Sequence, residues 1–328
     1  MPNNSETISI KELYVSVAPH IRSTLTIPKV MWSVVIALLP ALFGSIYFFG
    51  LRALLITIIS VISAVGFEAI TQKLFGRKIT ILDGSAVITG ILLAFNLPPK
   101  IPFWIPIIGS AFAIVITKQL FGGLGYNFIN PALAARAFLM VSWPQLMTTN
   151  WLAPKTGFLA GVDAITQATP LSLAKMSPNY AKILNSFDVI KNLIIGNCGG
   201  CLGETSALLL IIGAIFLLVT KIISYRIPLA YIGTVIILSL ILPTNYSPLF
   251  HIFSGGLILG AFFMATDYVT SPITAKGQWI FGIGCGIITM LIRLWGGYPE
   301  GVSYSILFMN VATPLIDRYT KPKVFGGK

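Results

Sequence analysis

Charged and metal-binding side chains are scarce in this chain of 328 residues. Asp, Glu, Lys and Arg together make up 10% of it, and it contains only three cysteines and two histidines. Three cysteines cannot supply the four thiolates of an iron–sulfur cluster, so such a centre would need ligands from another protein. The two histidines, His20 and His251, are isolated in the sequence and indicate no metal site.

Apolar residues take the place of the missing charge. They form 55% of the chain, and the mean hydropathy is +0.87, which is more apolar surface than a soluble core can use. A helix needs about 20 apolar residues to span a bilayer. We therefore predict an all-α integral membrane protein with about ten transmembrane helices. The predicted spans are residues 30–49, 53–70, 86–97, 104–121, 131–141, 205–221, 227–242, 252–265, 278–295 and 303–316.

These runs divide the chain into five segments. A cytoplasmic N-terminal segment is predicted over residues 1–29, which lack the charged-then-apolar layout of a cleaved signal. Two membrane parts follow over residues 30–141 and 205–316, and residues 142–204 connect them. Residues 317–328 form the predicted cytoplasmic tail. The connection is too short for a separate domain and too long for a simple turn.

The two membrane parts share sequence features. Residues 37–39 and 207–209 are both Ala-Leu-Leu, and the same offset places Gly90 on Gly260. Glycine and leucine are common in membrane helices, so chance matches are the alternative explanation. Each part has an odd number of predicted spans, five, so related parts would enter the membrane from opposite sides. We therefore predict an inverted-topology repeat.

Most Lys and Arg residues are predicted to lie on one side of the membrane. In the short loops opposite, only Arg52, Lys100 and Arg293 are positively charged. Because Lys and Arg are concentrated in cytoplasmic loops, both termini are predicted to be cytoplasmic and the connection to face outward. The net charge of +12 then reflects topology and attraction to anionic lipid heads, and it requires no nucleic acid.

The most specific motif of the connection runs from Asp163 to Pro170. No residue near Thr169 in sequence is a base that could activate its hydroxyl, so an external enzyme would have to modify it. Pro170 favours an extended backbone at Thr169, which suits a peptide that binds in another protein's groove. Ala168 leaves room beside the hydroxyl, and Asp163 and Thr166 provide polar side chains that a modifying enzyme can recognise. The alternative is a turn that hydrogen-bonds its own backbone.

Five acidic residues lie within or beside the predicted spans: Glu68, Asp83, Glu204, Asp267 and Glu300. An ionisable group at membrane depth is a functional candidate, although Asp83 and Glu300 fit a water interface equally well. Asp267 ends a shortened span, where freed carbonyls could add oxygen ligands. Asp267 and Glu68 are therefore the candidates for an ion pathway. Glu204 is predicted to cap the sixth span.

Two other polar features have both a functional and a structural interpretation. Arg136 lies inside a span, where it should meet an acid, a helix end or an anion such as a flavin phosphate. Cys198 and Cys201 have the C-x-x-C spacing of metal or redox pairs. With only Cys285 besides them, small residues packed near a helix start are the favoured interpretation.

Several motifs spread over nearly the whole chain carry a family resemblance. They are GGLGYNFINPA at 122–132, RAFL at 136–139, TQATP at 166–170, GGCLGETS at 199–206, ATDYVTSP at 265–272 and RLWGGYPEGV at 293–302. In this pattern the chain resembles the RnfD proteins of the Rnf ion-translocating electron-transport complex. RnfD is similar to NqrB of the sodium-translocating NADH:quinone reductase, which has a longer N-terminal extension.

The resemblance implies a cofactor and partners. It implies FMN joined through its phosphate to Thr169 by a flavin transferase of the ApbE type. From their positions in the sequence, Asp163, Thr166, Ala168 and Arg136 are the candidate contacts of this flavin. It also implies other Rnf subunits, which together pass electrons between ferredoxin and NAD and move Na+ or H+ across a bacterial or archaeal cytoplasmic membrane. A second, non-covalent flavin is a further expectation, without residues assigned to it. At the attachment site Gln167 replaces the family's usual glycine, which is expected to slow loading.

A solute channel or secondary transporter remains the rival interpretation. Inverted repeats also occur in such proteins, and a fold plan alone does not decide function. In that case Thr169 would be an ordinary loop residue without a redox cofactor.

Overall fold

The structure of the protein is a computed structural model, which describes residues 25–152, 154, 169–176, 180–204 and 206–322. These residues form helices and no strand, which confirms the predicted all-α class. The helices are α1 Ile27–Phe49, α2 Leu51–Leu74, α3 Ser85–Phe95, α4 Trp104–Ala111, α5 Pro131–Ser142, α6 Pro144–Thr148, α7 Pro170–Met176, α8 Ala181–Leu184, α9 Phe187–Ile195, α10 Ala207–Val219, α11 Arg226–Ile241, α12 Pro248–Phe253, α13 Leu257–Leu259, α14 Ala275–Trp295 and α15 Val302–Thr320. Two π-helical segments, Phe112–Gln119 and Gly260–Met264, continue α4 and α13.

Each predicted apolar run coincides with helical structure. Helices α1, α2 and α14 are long enough and apolar enough to cross a membrane. Helices α3, α5, α10 and α11 are shorter and apolar, as is the continuous helix of α4 and its π segment. The helices therefore fit a multi-pass membrane protein. The number of spans, their orientation and the five-segment division stay predictions.

The eighth predicted span differs from the structure. The sequence predicted one helix over residues 252–265, whereas the chain forms α12, then a break, then α13 with its π segment. Gly255 lies in the break and has a φ of 67°, a left-handed conformation that glycine adopts at little cost. The result is a short apolar helix that ends just before Asp267, as the sequence predicted for that end.

The two membrane parts pack against each other through corresponding helices. The first helices of the two parts, α1 and α10, are in contact, and so are the last, α5 and α15. A pseudo-twofold relation between the parts would produce such pairs, so the packing is consistent with the predicted repeat.

Close packing of α1 on α10 depends on Gly213. A Cβ atom placed on Gly213 would lie 2.0 Å from the carbonyl oxygen of Ala37, far inside van der Waals contact. Small residues at such crossings let helix backbones approach closely, and this approach drives much of helix association in membranes.

We expect Gly213→Ala to destabilise the protein by about 1–3 kcal/mol, the usual effect of overpacking. The clash is with backbone, so it cannot be relieved by a side-chain rotation. Gly233→Ala in α11 is the matched control, because nothing lies within 4 Å of its added methyl group and alanine favours a helix. Thermal unfolding of both variants in detergent measures the difference. Equal melting temperatures for the two variants would contradict this account of the α1–α10 contact.

The end of the connection folds back into the membrane parts. The backbone N–H groups of Leu202 and Gly203 donate to the carbonyls of Leu97 and Phe95, at 3.1 and 2.9 Å. These carbonyls lie at the C-terminal end of α3, where the last C=O groups of a helix have no N–H partner within the helix. Residues 201–204 are buried there, so the last part of the connection belongs to the core and positions Glu204 inside it.

Candidate functional site

Thr169 immediately precedes α7, and its hydroxyl takes part in the first turn of that helix. Its Oγ1 accepts from the backbone N–H of Ser172 at 3.2 Å and donates to Ser172 Oγ at 2.9 Å. The residue is 6% exposed. The other predicted contacts in this motif, Asp163, Thr166 and Ala168, lie outside the described residues.

A cavity of about 200 Å³ lies beside Thr169, and we name it the Thr169 cavity. Its aromatic lining consists of Trp151 and of Tyr298 and Tyr304, whose rings stack with centroids 5.2 Å apart. Arg136 and Glu300 supply its charged lining. The cavity therefore combines aromatic walls with the buried charges of Arg136 and Glu300, next to Thr169.

Arg136 is the centre of a buried polar network. Its Nη1 donates to Asn96 Oδ1 at 2.8 Å and to Ser303 Oγ at 3.0 Å. Its Nη2 donates to the carboxylate of Glu300, and Nη1 lies 3.7 Å from Glu204 Oε1. Its Nε is buried without a hydrogen-bond partner among the described residues. Arg136 therefore meets the acids that its place inside an apolar helix requires.

Glu204 and Glu300 approach this arginine from distant parts of the sequence. Their side chains are 4% and 13% exposed. Burial and the neighbouring Glu300 carboxylate raise the pKa of Glu204. The sequence predicted Glu204 as the cap of α10, but that cap is Ser206, whose Oγ accepts from the N–H of Leu209. Glu204 precedes the cap and turns toward Arg136, because an acid beside a buried guanidinium compensates both charges.

Cys201 completes the surroundings of the two acids. Its Sγ and one carboxylate oxygen each of Glu204 and Glu300 lie within 4.8 Å of one another. The guanidinium of Arg136 already supplies positive charge to this set. Cys201 Sγ also lies 3.4 Å from the carbonyl oxygen of Asn96, and no disulfide joins it to Cys198. These contacts favour the structural interpretation of the C-x-x-C motif.

Lys175 attaches α7 to the end of α14. Its Nζ donates to the carbonyls of Ile292 at 3.3 Å and Tyr298 at 2.7 Å, and to that of Gly296. An ammonium group suits the unpaired carbonyls and negative dipole at a helix C-terminus. This contact holds Thr169, at the start of α7, in a fixed place relative to α14.

A second cavity, of about 100 Å³, lies beside Asp267, and we name it the Asp267 cavity. Asp267 Oδ2 accepts from Thr270 Oγ1 at 3.1 Å, and Oδ1 accepts from the N–H of Val269 at 3.4 Å. Lys118 also lines the cavity. Asp267 and Lys118 therefore line the same cavity, and the role of Asp267 in an ion pathway stays a prediction.

Glu68 forms a buried ion pair with Lys118. Lys118 Nζ lies 2.7 Å from Glu68 Oε1, with 3% and 1% of the side chains exposed. Ser85 Oγ accepts from Lys118 at 2.6 Å, and Gln119 Nε2 donates to Glu68 Oε1 at 2.8 Å. Glu68 Oε2 is buried without a partner in the part of the chain that the structure describes. Lys118 thus links Glu68 to the cavity that contains Asp267.

Helix α5 lines both cavities. Pro131 and Ala132 in its first turn face the Asp267 cavity, whereas Arg136 and Met140 face the Thr169 cavity. Asn96 accepts from Arg136, and its Nδ2 lies 3.7 Å from the sulfur of Met264 in the second π segment.

Some of these residues were not singled out from the sequence. Lys118 is a lone charge inside the predicted span 104–121, and that signal would have been sufficient to single it out. Glu300 was recognised as an acid but not as the partner of Arg136, 164 positions away. The stacked Tyr298 and Tyr304 gave no signal, because aromatic residues are common throughout this chain.

The sequence matches known proteins over nearly its whole length. The profile of the NQR2, RnfD, RnfE family matches residues 14–326. The D subunit of the Na(+)-translocating ferredoxin:NAD(+) oxidoreductase complex of Acetobacterium woodii is 54% identical, over 96% of this chain and 95% of that protein. Its proton-translocating counterpart in Clostridium ljungdahlii is 48% identical, over 95% and 96%. The D subunit of the ion-translocating oxidoreductase complex of Methanosarcina acetivorans is 38% identical, over 95% and 97%.

Proposed function

The chain belongs to the NQR2, RnfD, RnfE family, and we propose that it is the RnfD membrane subunit of an Rnf-type ferredoxin:NAD oxidoreductase and carries covalent FMN on Thr169. Its close relatives are named as subunits of ion-translocating oxidoreductase complexes, so the chain is part of a redox-driven translocase. We propose that it couples electron transfer to the movement of Na+ or H+.

The observation that carries the flavin proposal is the position of the Thr169 hydroxyl at the edge of an aromatic cavity. When bound, a flavin supplies a group that accepts and releases electrons. Tyr298, Tyr304 and Trp151 offer surfaces on which a flat ring system can pack. Arg136 lines the same cavity, and its Nε, which has no partner among the described residues, is an available hydrogen-bond donor. The residues present therefore fit the group.

The remaining site residues take supporting roles in the proposal. Asp163, Thr166 and Ala168 would be recognised by a flavin transferase of the ApbE type, which loads Thr169 from outside. The connection would face the outer side, with both termini in the cytoplasm. Other Rnf subunits and membrane lipid would cover the exposed apolar helix faces, and a second, non-covalent flavin is proposed without residues assigned to it.

For ion passage we propose a route that includes Asp267 and Glu68. Asp267 and Lys118 line one cavity, and Lys118 forms an ion pair with Glu68. Carboxylate oxygens suit both Na+ and H+, so the route is compatible with either ion. The charge of Lys118 would repel a cation on this route, and the ion pair with Glu68 compensates that charge.

We expect Asp267→Asn to weaken ion uptake by about tenfold or more, since a contact to a charged group contributes about 1.5–3 kcal/mol. The measurement is ion uptake by the purified complex in liposomes, driven by reduced ferredoxin and NAD. Asp317→Asn is the matched control, because Asp317 Oδ1 accepts from the N–H of Ile273 and an amide oxygen can still do so. Equal uptake by the two variants would exclude Asp267 from the route.

The rival transporter function is tested on the same chain. The chain is co-expressed with its flavin transferase and viewed under ultraviolet light after a denaturing gel. A fluorescent band supports the electron carrier. A dark band together with measured solute flux supports the transporter.

A further inference from the structure

Two acids, Glu204 and Glu300, surround the single guanidinium of Arg136. Glu204 and Glu300 both face the guanidinium, and their carboxylate oxygens lie within 4.8 Å of each other. Glu300 accepts directly from Nη2, whereas Glu204 lies 3.7 Å from Nη1. With both acids ionised, these three side chains would carry one uncompensated negative charge in a buried place.

Glu204 is the acid that is less well compensated. Its Oε1 is buried and has no hydrogen-bond partner among the described residues, although an ionised carboxylate needs several donors when it leaves water. Two buried carboxylates at this separation repel each other, and one of them keeps a proton in well-known pairs of this kind. The geometry therefore favours a proton on one of these oxygens.

We propose that Glu204 and Glu300 form a carboxyl pair that shares one proton beside Arg136 and so acts as the proton-holding site of the Thr169 cavity. Binding forms one O–H bond at a carboxylate oxygen, and release breaks it and returns the proton to water. The net charge of Arg136, Glu204 and Glu300 is zero with the proton and negative by one without it. The state of the pair thus sets the charge met by an electron carrier on Thr169, a connection that rests on the proposed function.

Other ionisable groups surround the pair. Cys201 is a weak hydrogen-bond donor toward Glu204, and Cys198 belongs to the same turn. Arg293 of α14 adds a positive charge nearby, but it donates to the backbone carbonyls of residues 251, 254 and 300 rather than to a carboxylate. The phenol of Tyr304 of α15 lines the same cavity as Glu300. Arg136 is therefore the one cation that bonds to the pair among the described residues.

The position of the pair suits exchange with solvent. Glu300 lines the Thr169 cavity, and both acids line a smaller space that also borders Thr169 and Cys198. Glu300 is the more exposed of the two. A proton on Glu204 can therefore reach the cavity through Glu300 without crossing the apolar core.

Infrared spectroscopy of the full chain tests the pair directly. The chain has only ten acids, so the deuterium-sensitive carbonyl band of a protonated carboxylic acid can be resolved. The experiment uses Thr169→Val as the background in detergent, so that no flavin is attached and the result does not depend on the flavin proposal. At neutral pH we expect a band with the amplitude of one proton, which disappears at alkaline pH.

Two variants distinguish a proton shared by Glu204 and Glu300 from a proton held by one acid independently of the other. Both Glu204→Gln and Glu300→Gln should lose the whole band, because the remaining acid then forms a one-to-one pair with Arg136 and ionises. Asp188→Asn, at an exposed acid of α9, should keep it. Absence of the band in the background chain, or its survival in Glu300→Gln, would overturn the proposal. If one variant does not fold, the other variant and the pH titration of the background chain still decide the result.

Discussion

Replacement of Thr169 by valine is expected to abolish covalent flavin attachment, with no fluorescent band remaining after a denaturing gel. Valine keeps the branched shape of threonine but lacks Oγ1, the only atom of the side chain that can form a phosphoester. The change also removes the hydrogen bond from the N–H of Ser172, which costs about 1 kcal/mol in typical helix caps. That loss is too small to unfold the chain.

Thr148→Val is the matched control for this experiment. Thr148 lines the same cavity, and its hydroxyl donates to the carbonyl of Pro144 at 2.7 Å, so the control also removes one hydroxyl and one local hydrogen bond. We expect it to keep full fluorescence. Mass spectrometry of the peptide that contains Thr169, from chain co-expressed with its flavin transferase, supplies a second measurement. An unmodified parent peptide, or a fluorescent Thr169→Val chain, would refute the attachment site.

Removal of the buried guanidinium is expected to have the largest effect on stability. In Arg136→Met the acids Glu204 and Glu300 lose their cation, and breaking a buried ion pair from one side costs about 3–5 kcal/mol. Asn96 and Ser303 also lose a donor. Thermal unfolding in detergent should show a large decrease in melting temperature. The control Arg318→Met, at an exposed arginine of α15, should change stability by less than about 0.5 kcal/mol.

A second substitution separates lost charge compensation from lost packing. Arg136→Met combined with Glu300→Gln should be more stable than Arg136→Met alone, because one uncompensated carboxylate is gone. Residues that share a network show such non-additivity, by about 0.5–3 kcal/mol. A double variant that is less stable than the single one would show that the guanidinium acts mainly through packing.

The helices could be predicted from the sequence because their signals are local. Each apolar run of the right length coincides with helical structure, whereas the short helices α6, α8 and α9 of the connection were not predicted. The break between α12 and α13 was missed, since the pair Gly255-Gly256 in an apolar run does not show whether either backbone will be left-handed. Gly255 could be assigned this role only from its φ.

The candidate site could be predicted only in part, because its groups come together through tertiary packing. Thr169 stood out by its motif and Arg136 by its charge inside an apolar run. Their partners did not: Glu300 is far from Arg136 in sequence, and Glu204 reaches it because residues 201–204 fold back against α3. A local pattern assigned Glu204 to the nearest helix end, where Ser206 is the better cap.

The attachment of α7 by Lys175 has a geometric consequence. Thr169 is tied to the end of α14 in the second membrane part, whereas Arg136 belongs to α5 in the first. The distance between the Thr169 hydroxyl and the Arg136 guanidinium therefore depends on the relative position of the two membrane parts. A displacement of one membrane part relative to the other would change the electrostatic potential that the guanidinium produces at Thr169.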